Sequence, residues 1–380
     1  MSSGPTRDDL LAIAGSVLDA VPHGEAEVVV TETDSALTRF AHNAVHQNVA
    51  ESWLSIRLRL QHEGRVGVGT VRGGAADIPA TVARLVASTE GSRRLAPVSE
   101  GLLPVVAGVD GSAALDAAAA WSDATAGCEP EERADRVAVV AGAAARAGVE
   151  AYGAMQTSAT QRAIATTAGL SRCARTTMAT LRATVRGGDG GGYADRNAVD
   201  VSDIAADEMA DEVVATTLRN QGAEPLAPGT YEVVLTPYAA AELTAWFAQL
   251  VFNALSVEEH RSCYAEGRRL ASEAFSLVDD PTEAAAAGFP FDGEGVTGQP
   301  VTLLDRGVAA GLLHDRVTAR SARVESNGHS LQQPNTRGPF AGHLVVAPGD
   351  AAVDELVAGV GRGLLLTRLW YIRAVHELHT

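Results

Sequence analysis

Trp53-Leu-Ser-Ile-Arg-Leu-Arg-Leu60 alternates without a break. Leu54, Ile56, Leu58 and Leu60 fall on one side of an extended chain and Ser55, Arg57 and Arg59 on the other, which predicts a half-buried β-strand. Around it, residues 27–32, 36–41, 44–61 and 65–71 are rich in Val, Thr, Arg and Leu, with Gly64 separating the last two. They predict an antiparallel meander. Before it, Leu10, Leu11, Ile13, Ala14, Val17, Leu18 and Val21 recur at helical spacing. After it, Ile78, Val82, Leu85 and Val86 give residues 77–89 the stripe of a second helix.

The same order then returns. A helix is predicted over 133–147, strands over 148–157, 160–167 and 170–186, and a helix over 203–221, although residue identity between the two blocks is poor. The run Gly187-Gly-Asp-Gly-Gly-Gly192 lacks the Lys-Ser/Thr of a phosphate loop and opens no apolar helix, so it reads as a hairpin or cleft-edge loop. The expected blocks are 1–125, 126–226 and, after Leu226-Ala-Pro-Gly229, 227–380.

In the last block, residues 232–235 read as a short buried strand, and Thr236-Pro237 opens a helix to about Leu255. Its core stripe is Leu243, Phe247, Leu250 and Val251, thickened by Trp246 and Phe252. Short strands at 275–279, 301–306, 308–313 and 344–347, a helix at 350–360 and a terminal strand over 363–379 complete it. The expected fold class is α+β: N-terminal antiparallel sheets with helices, built as a pseudo-repeat, and a C-terminal mixed, barrel-like β-rich domain.

The chain of 380 residues carries 30 Lys and Arg against 47 Asp and Glu, a net charge of −17. Such a field repels nucleic acid and anionic membrane surfaces, so no nucleic-acid partner is expected. No apolar run approaches the ~20 residues that span a bilayer, and the acidic N-terminal stretch does not read as a secretory signal. A cytoplasmic protein with no membrane association is expected. Cys128, Cys173 and Cys263 are odd in number and far apart, which predicts reduced thiols rather than a disulfide framework.

Several segments resemble one family, in order along the chain. They are Arg39-Phe-Ala-His-Asn43 with His46-Gln-Asn48, Glu232-Val-Val-Leu235, Phe252-Asn253, Pro290-Phe-Asp-Gly-Glu-Gly295, Leu304-Asp-Arg-Gly-Val308, His314-Asp-Arg316, Pro334-Asn335, Ala347-Pro-Gly-Asp350 and Gly363-Leu-Leu-Leu-Thr-Arg368 with Tyr371. Together they look like the TldD/PmbA family, also called the modulator-of-DNA-gyrase family. The resemblance implies a pair of sister subunits, one bearing zinc and one not, that form a heterodimer and cleave or mature peptides in an enclosed chamber. In the metal-bearing type, the helix after the strand matching 232–235 carries His-Glu-x-x-x-His, and a Cys ligand lies near the C-terminus.

Here that helix reads Tyr238-Ala-Ala-Ala-Glu-Leu-Thr-Ala-Trp-Phe247, without histidine. Glu242 alone reads as a solvated or surface-paired carboxylate. The resemblance is therefore to the metal-free TldE/PmbA type, a non-catalytic component of a metallopeptidase complex. No cofactor is expected in this chain, zinc is expected in a TldD-type partner, and the substrate would be a peptide or small amide. Two other readings are a pair recruited to C–N bond cleavage in specialised metabolism, and a non-enzymatic binding module. Family members continue past this point with a Thr-Gly-Met-Thr segment, so the last domain is expected to be incomplete against them.

Chamber-facing contacts are expected from His314, Asp315, His329, Asn335 and His343, all in the Gly/Pro-punctuated part of the last block. Such residues also commonly cap or turn the backbone. Val375-His-Glu-Leu-His-Thr380 has the wrong spacing for a zinc helix, and on a strand His376 and His379 would face opposite ways. His260 and Cys263 have no evident further ligand and read as incidental.

Overall fold

Thr6 starts the first helix reciprocally: its hydroxyl accepts the Asp9 N–H, and the Asp9 carboxylate accepts the Thr6 N–H. The computed structural model describes residues 5–73, 77–108, 120–283 and 288–375. Within it, α1 (Arg7–Ala20) leads into β1 (Glu25–Ala41), β2 (Ala44–His62), β3 (Arg65–Gly73) and α2 (Ile78–Leu95). After the short α3 (Asp123–Ala126) the order repeats: α4 (Pro130–Arg146), β4 (Glu150–Thr166), β5 (Ser171–Gly187), β6 (Gly190–Ala198) and α5 (Ala206–Arg219). The pseudo-repeat read from the sequence is thus present.

Both meanders share one antiparallel six-stranded sheet of order β3-β2-β1-β4-β5-β6. β1 and β4 join them, in register from Glu27↔Thr166 to Phe40↔Gly153. Because side chains alternate along a strand, one parity on each strand faces the helices. On that face Leu10, Ala14, Val17, Val82 and Leu85 pack on Val28, Val30, Ile56, Leu58 and Ala163. Val137, Val140, Met209 and Val213 pack on Phe40, Ala151, Met155, Leu181 and Val185. α1, α2, α4 and α5 therefore all cover one face of the sheet and none lies on the other. Residues 27–41, expected as two strands, form one, since polar Asp34 and Ser35 are held by pairing on both sides.

The Gly-rich run is a hairpin. Gly187 pairs with Gly190 across the β5–β6 turn, and Gly188 at φ +60° lies in the turn. Gly192 lies against α5, where a Cβ would come within 2.5 Å of the Val213 carbonyl oxygen and 2.6 Å of the Thr217 hydroxyl.

The C-terminal part has β7 (Glu232–Leu235), α6 (Pro237–Val251), α7 (Ala254–Glu258), β8 (Leu277–Asp279), β9 (Val301–Asp305), β10 (Val308–Ala309), α8 (Arg316–Ala322), β11 (Leu344–Val346), α9 (Val353–Gly359) and β12 (Gly363–Leu366). Its core joins Ala248, Val251 and Phe252 to Leu277, Leu303, Leu304, Ala309 and Leu313. The barrel-like expectation is not met. The sheet β10-β9-β8-β11 is open, with strands of two to five residues, and among the described residues no sheet closes. β7 is not buried: it pairs only with β12, in parallel, and Val233 is 42% exposed. Leu243 and Trp246 lie on the outer side of α6, whose buried face is Ala239, Thr244, Ala248 and Val251. The long terminal strand shrinks to β12, and the 376–380 stretch with its two histidines lies outside the described residues. Among the described residues no helix is long and apolar enough to cross a membrane.

Replacing Gly192 by Ala forces β6 away from α5 and is expected to cost about 1–3 kcal/mol of stability. Gly191→Ala, whose Cβ meets nothing closer than 3.8 Å, should stay within about 0.5 kcal/mol of the parent. Urea unfolding followed by circular dichroism measures both.

Candidate functional site

The helix-free face of the sheet is partly covered by the C-terminal part. Val29, Ile164, Leu170 and Ala174 meet Phe291 there. Beside this apolar contact lies a set of charges that the alternation of 53–60 does not reveal. Arg59 donates to Glu27 at 3.1 Å, and Arg57 Nη1 stands 3.8 Å from the same carboxylate. Arg57 also donates to the Gln333 carbonyl oxygen of the covering domain. Glu27 is wholly buried and Arg59 only 6% exposed. From the covering side, Glu294 accepts from Arg316 at 3.2 Å, and its second oxygen is buried without a hydrogen bond.

Burial dominates the electrostatics here. It pushes the Glu294 carboxyl up to about 7, with Arg316 opposing and neighbouring Asp292 reinforcing the rise. It pushes Asp292 up to about 6, although that carboxylate accepts the N–H groups of Ser330, Glu294 and Val296. The guanidiniums of Arg57 and Arg172 are pushed down by the same burial, partly offset by Glu27 and Asp292 respectively.

A second cluster gathers two of the five sequence candidates. Asp279, fully buried at the end of β8, accepts the N–H groups of Gly342 and His343 on Oδ2. His329 Nε2 lies 3.2 Å from its Oδ1, and His343 Nδ1 lies 3.9 Å from the same atom. The other ring nitrogen of His329 is 2.9 Å from Asn327 Oδ1. Asn327 is fixed in orientation, because its amide donates to Leu312 O and its oxygen accepts the His314 N–H. Both nitrogens of His329 therefore face acceptors. Burial pushes the His343 and His314 imidazoles down, opposed by Asp279 and Asp315.

The remaining candidates do not join this cluster side chain to side chain. His314 Nδ1 is 3.3 Å from the Thr318 hydroxyl. Asp315, 2% exposed, caps α8 by accepting the Thr318 N–H at 2.8 Å. Asn335 turns its own loop, accepting from Arg337 N and donating to Gly338 O. Asp279 closes the short β8 and Glu294 lies in the 290–295 segment, but neither has a spacing in the sequence that points to its partners, which more distant chain supplies.

On α6, Glu242 is paired with Arg368 at 3.8 Å. Arg368 lies 3.6 Å from the Tyr193 ring centroid and 4.5 Å from that of Trp370, and Tyr238 meets Tyr193 edge-on. Aromatic rings and an ion pair thus fill the side of α6 that looks toward β6. Zinc needs at least three convergent His, Cys or carboxylate ligands, each with a free lone pair. The residues present do not fit it: α6 carries no histidine, both nitrogens of His329 are committed, and among the described residues no group of three such side chains is placed to hold a metal.

Residues 228–378 match the family model for the PmbA/TldA metallopeptidase C-terminal domain. The chain is 29% identical over 158 residues to the "Metalloprotease" of Methanothermobacter thermautotrophicus, covering 38% of this chain and 32% of that protein. It is 25% identical over 174 residues to the "Metalloprotease TldD homolog" of Buchnera aphidicola, covering 43% and 35%. Each match thus spans about a third of the length of the curated relative. In fold, the chain is similar to TldE from Thermococcus kodakarensis, with a TM-score of 0.77 over 95% of this chain and 82% of that one at 18% identity. The resemblance read from the sequence is therefore met as a likeness: residues 228–378 match the model of that family's C-terminal domain, and the chain as a whole is similar in fold to TldE.

The raised carboxyls have a sign that can be measured. A carboxyl with a higher pKa folded than unfolded makes the folded chain bind more protons, so stability falls as pH rises from about 4.5 to about 7. For Glu294 the loss is on the order of 3 kcal/mol. Glu294→Gln should match the parent near pH 4.5 and be the more stable protein at pH 8, with a flatter profile between, as read by urea unfolding at each pH.

Proposed function

We propose that this chain is the non-catalytic, TldE-like subunit of a TldD/TldE-type zinc metallopeptidase, pairing with a metal-bearing homologue to cleave or mature peptides in a chamber the two enclose. The observation that carries this reading is α6: the helix after β7 has no histidine, and its side toward β6 is taken by Glu242, Arg368, Tyr238 and Tyr193. The similarity to metalloproteases, one of them named a TldD homolog, together with the TldE fold, supports the pairing.

In this reading zinc and its activated water belong to the partner. This chain supplies wall and substrate contacts. β3 and β6 are edge strands of the large sheet, each paired on one side only, and an extended peptide can add there through main-chain hydrogen bonds. His314 and His343, both half-buried, remain the polar contacts assigned to substrate, while Asp315, His329 and Asn335 shape the loops that carry them. The pair would work in the cytoplasm.

The test is co-expression with a TldD-type homologue encoded by the same genome. The expected result is a stoichiometric complex whose zinc content and peptidase activity vanish when the homologue's ligand histidines are replaced, with neither property in this chain alone. Stoichiometric zinc and equal activity in the isolated chain would overturn the proposal.

A further inference from the structure

The two halves of the large sheet are related by a fixed shift in residue number. β1 begins at Glu25 and β4 at Glu150, β3 at Arg65 and β6 at Gly190, a shift of 125 in each case, and the paired strands have equal lengths of 17 and nine residues. The β1–β4 register obeys it, since Val28↔Ala165 maps onto Gly153↔Phe40. A pseudo-twofold axis thus passes between Asp34 and Ala159, which pair with each other and are themselves 125 apart. Surfaces on the helix-free face therefore come in related pairs.

One surface of such a pair is the docking site of the C-terminal domain, where Val29, Arg57 and Ile164 meet Phe291 and the Gln333 carbonyl. Its image under the shift is Ala154, Arg182 and Arg39. That image is not covered. It lines a cavity of 490 Å³ together with His46, Tyr152, Gln156 and Thr180. On the covered side Arg57 is faced by the Glu27 carboxylate of its own sheet. The image of Glu27 is Tyr152, so the open side keeps the guanidinium without that acid.

No Asp or Glu lines the cavity. Arg182 is held at 2.9 Å by Asp195, which also accepts from Tyr193. Arg39 has no carboxylate partner among the described residues. The cavity thus holds one guanidinium without a carboxylate partner, Arg39, and no acid in its lining, in a chain whose net charge is −17. A carboxylate is the ligand chemistry that an unpaired guanidinium takes, often with two parallel hydrogen bonds.

We infer that this cavity receives the acidic side chain of an extended peptide laid across the open face of the sheet, with Arg39 as its principal partner. The inference rests on the reading above that this chain contacts a peptide; it places that contact on the face of β1, β2, β4 and β5 rather than at the sheet edges, and adds a charge preference. Arg39 is exposed on the strand surface, so replacing it leaves the core untouched.

The test is fluorescence anisotropy with two rhodamine-labelled, unstructured peptides that differ only in a central Glu or Gln, on the full chain alone and in complex with its TldD-type homologue. The Glu peptide is expected to bind about tenfold more tightly at low salt, with the advantage shrinking as ionic strength rises. Arg39→Gln should bring the Glu peptide to the level of the Gln peptide and leave the latter unchanged. Equal binding of the two peptides, or an Arg39→Gln protein that keeps the preference, overturns the inference while the peptide-binding reading stands. Failure of both peptides to bind either preparation overturns both.

Discussion

The antiparallel pairing of β1 with β4 is the constraint on which the rest of the molecule depends. Each meander alone has three strands and two helices. Joined from Glu27↔Thr166 to Phe40↔Gly153, they become one sheet in which a single parity of side chains on each strand faces α1, α2, α4 and α5. A slip of one residue would turn every apolar side chain of one half to the wrong face. The same join creates the continuous helix-free face, half covered by the C-terminal domain and half open.

The covered half combines two kinds of contact with different roles. The apolar contact of Phe291 with Val29, Ile164 and Leu170 removes hydrocarbon from water, at about 1.5–3 kcal/mol for each fully buried large side chain. The charges beside it, Glu27 with Arg57 and Arg59, and Glu294 with Arg316, lose much of their mutual attraction to desolvation. The raised Glu294 and Asp292 carboxyls record that loss. What the charges add is direction, since Arg57 bonds the Gln333 carbonyl only when the domain sits in one place.

Much of this was legible in the sequence where the information is local. Residues 53–60 announce their strand, and the helix–strands–helix order announces the repeat. The same stretch also shows the limit. Alternation assigns Arg57 and Arg59 to solvent, yet Arg59 is buried and Arg57, half-buried, donates to Gln333, more than 200 residues away in sequence. Leu243 and Trp246 fail in the opposite sense, being apolar at helical spacing but on the outer side of α6. The candidate loops were found through family resemblance, whereas Asp279, which gathers His329 and His343, is one acid in a three-residue strand and carries no pattern of its own.

Native-state hydrogen exchange tests the central claim, that the two blocks form one cooperative sheet, most directly. Amides along β1 and β4 should exchange only through global unfolding, with the same free energy and the same denaturant dependence in both strands. Separate unfolding of residues 25–73 and 150–198, with distinct free energies, would contradict the account.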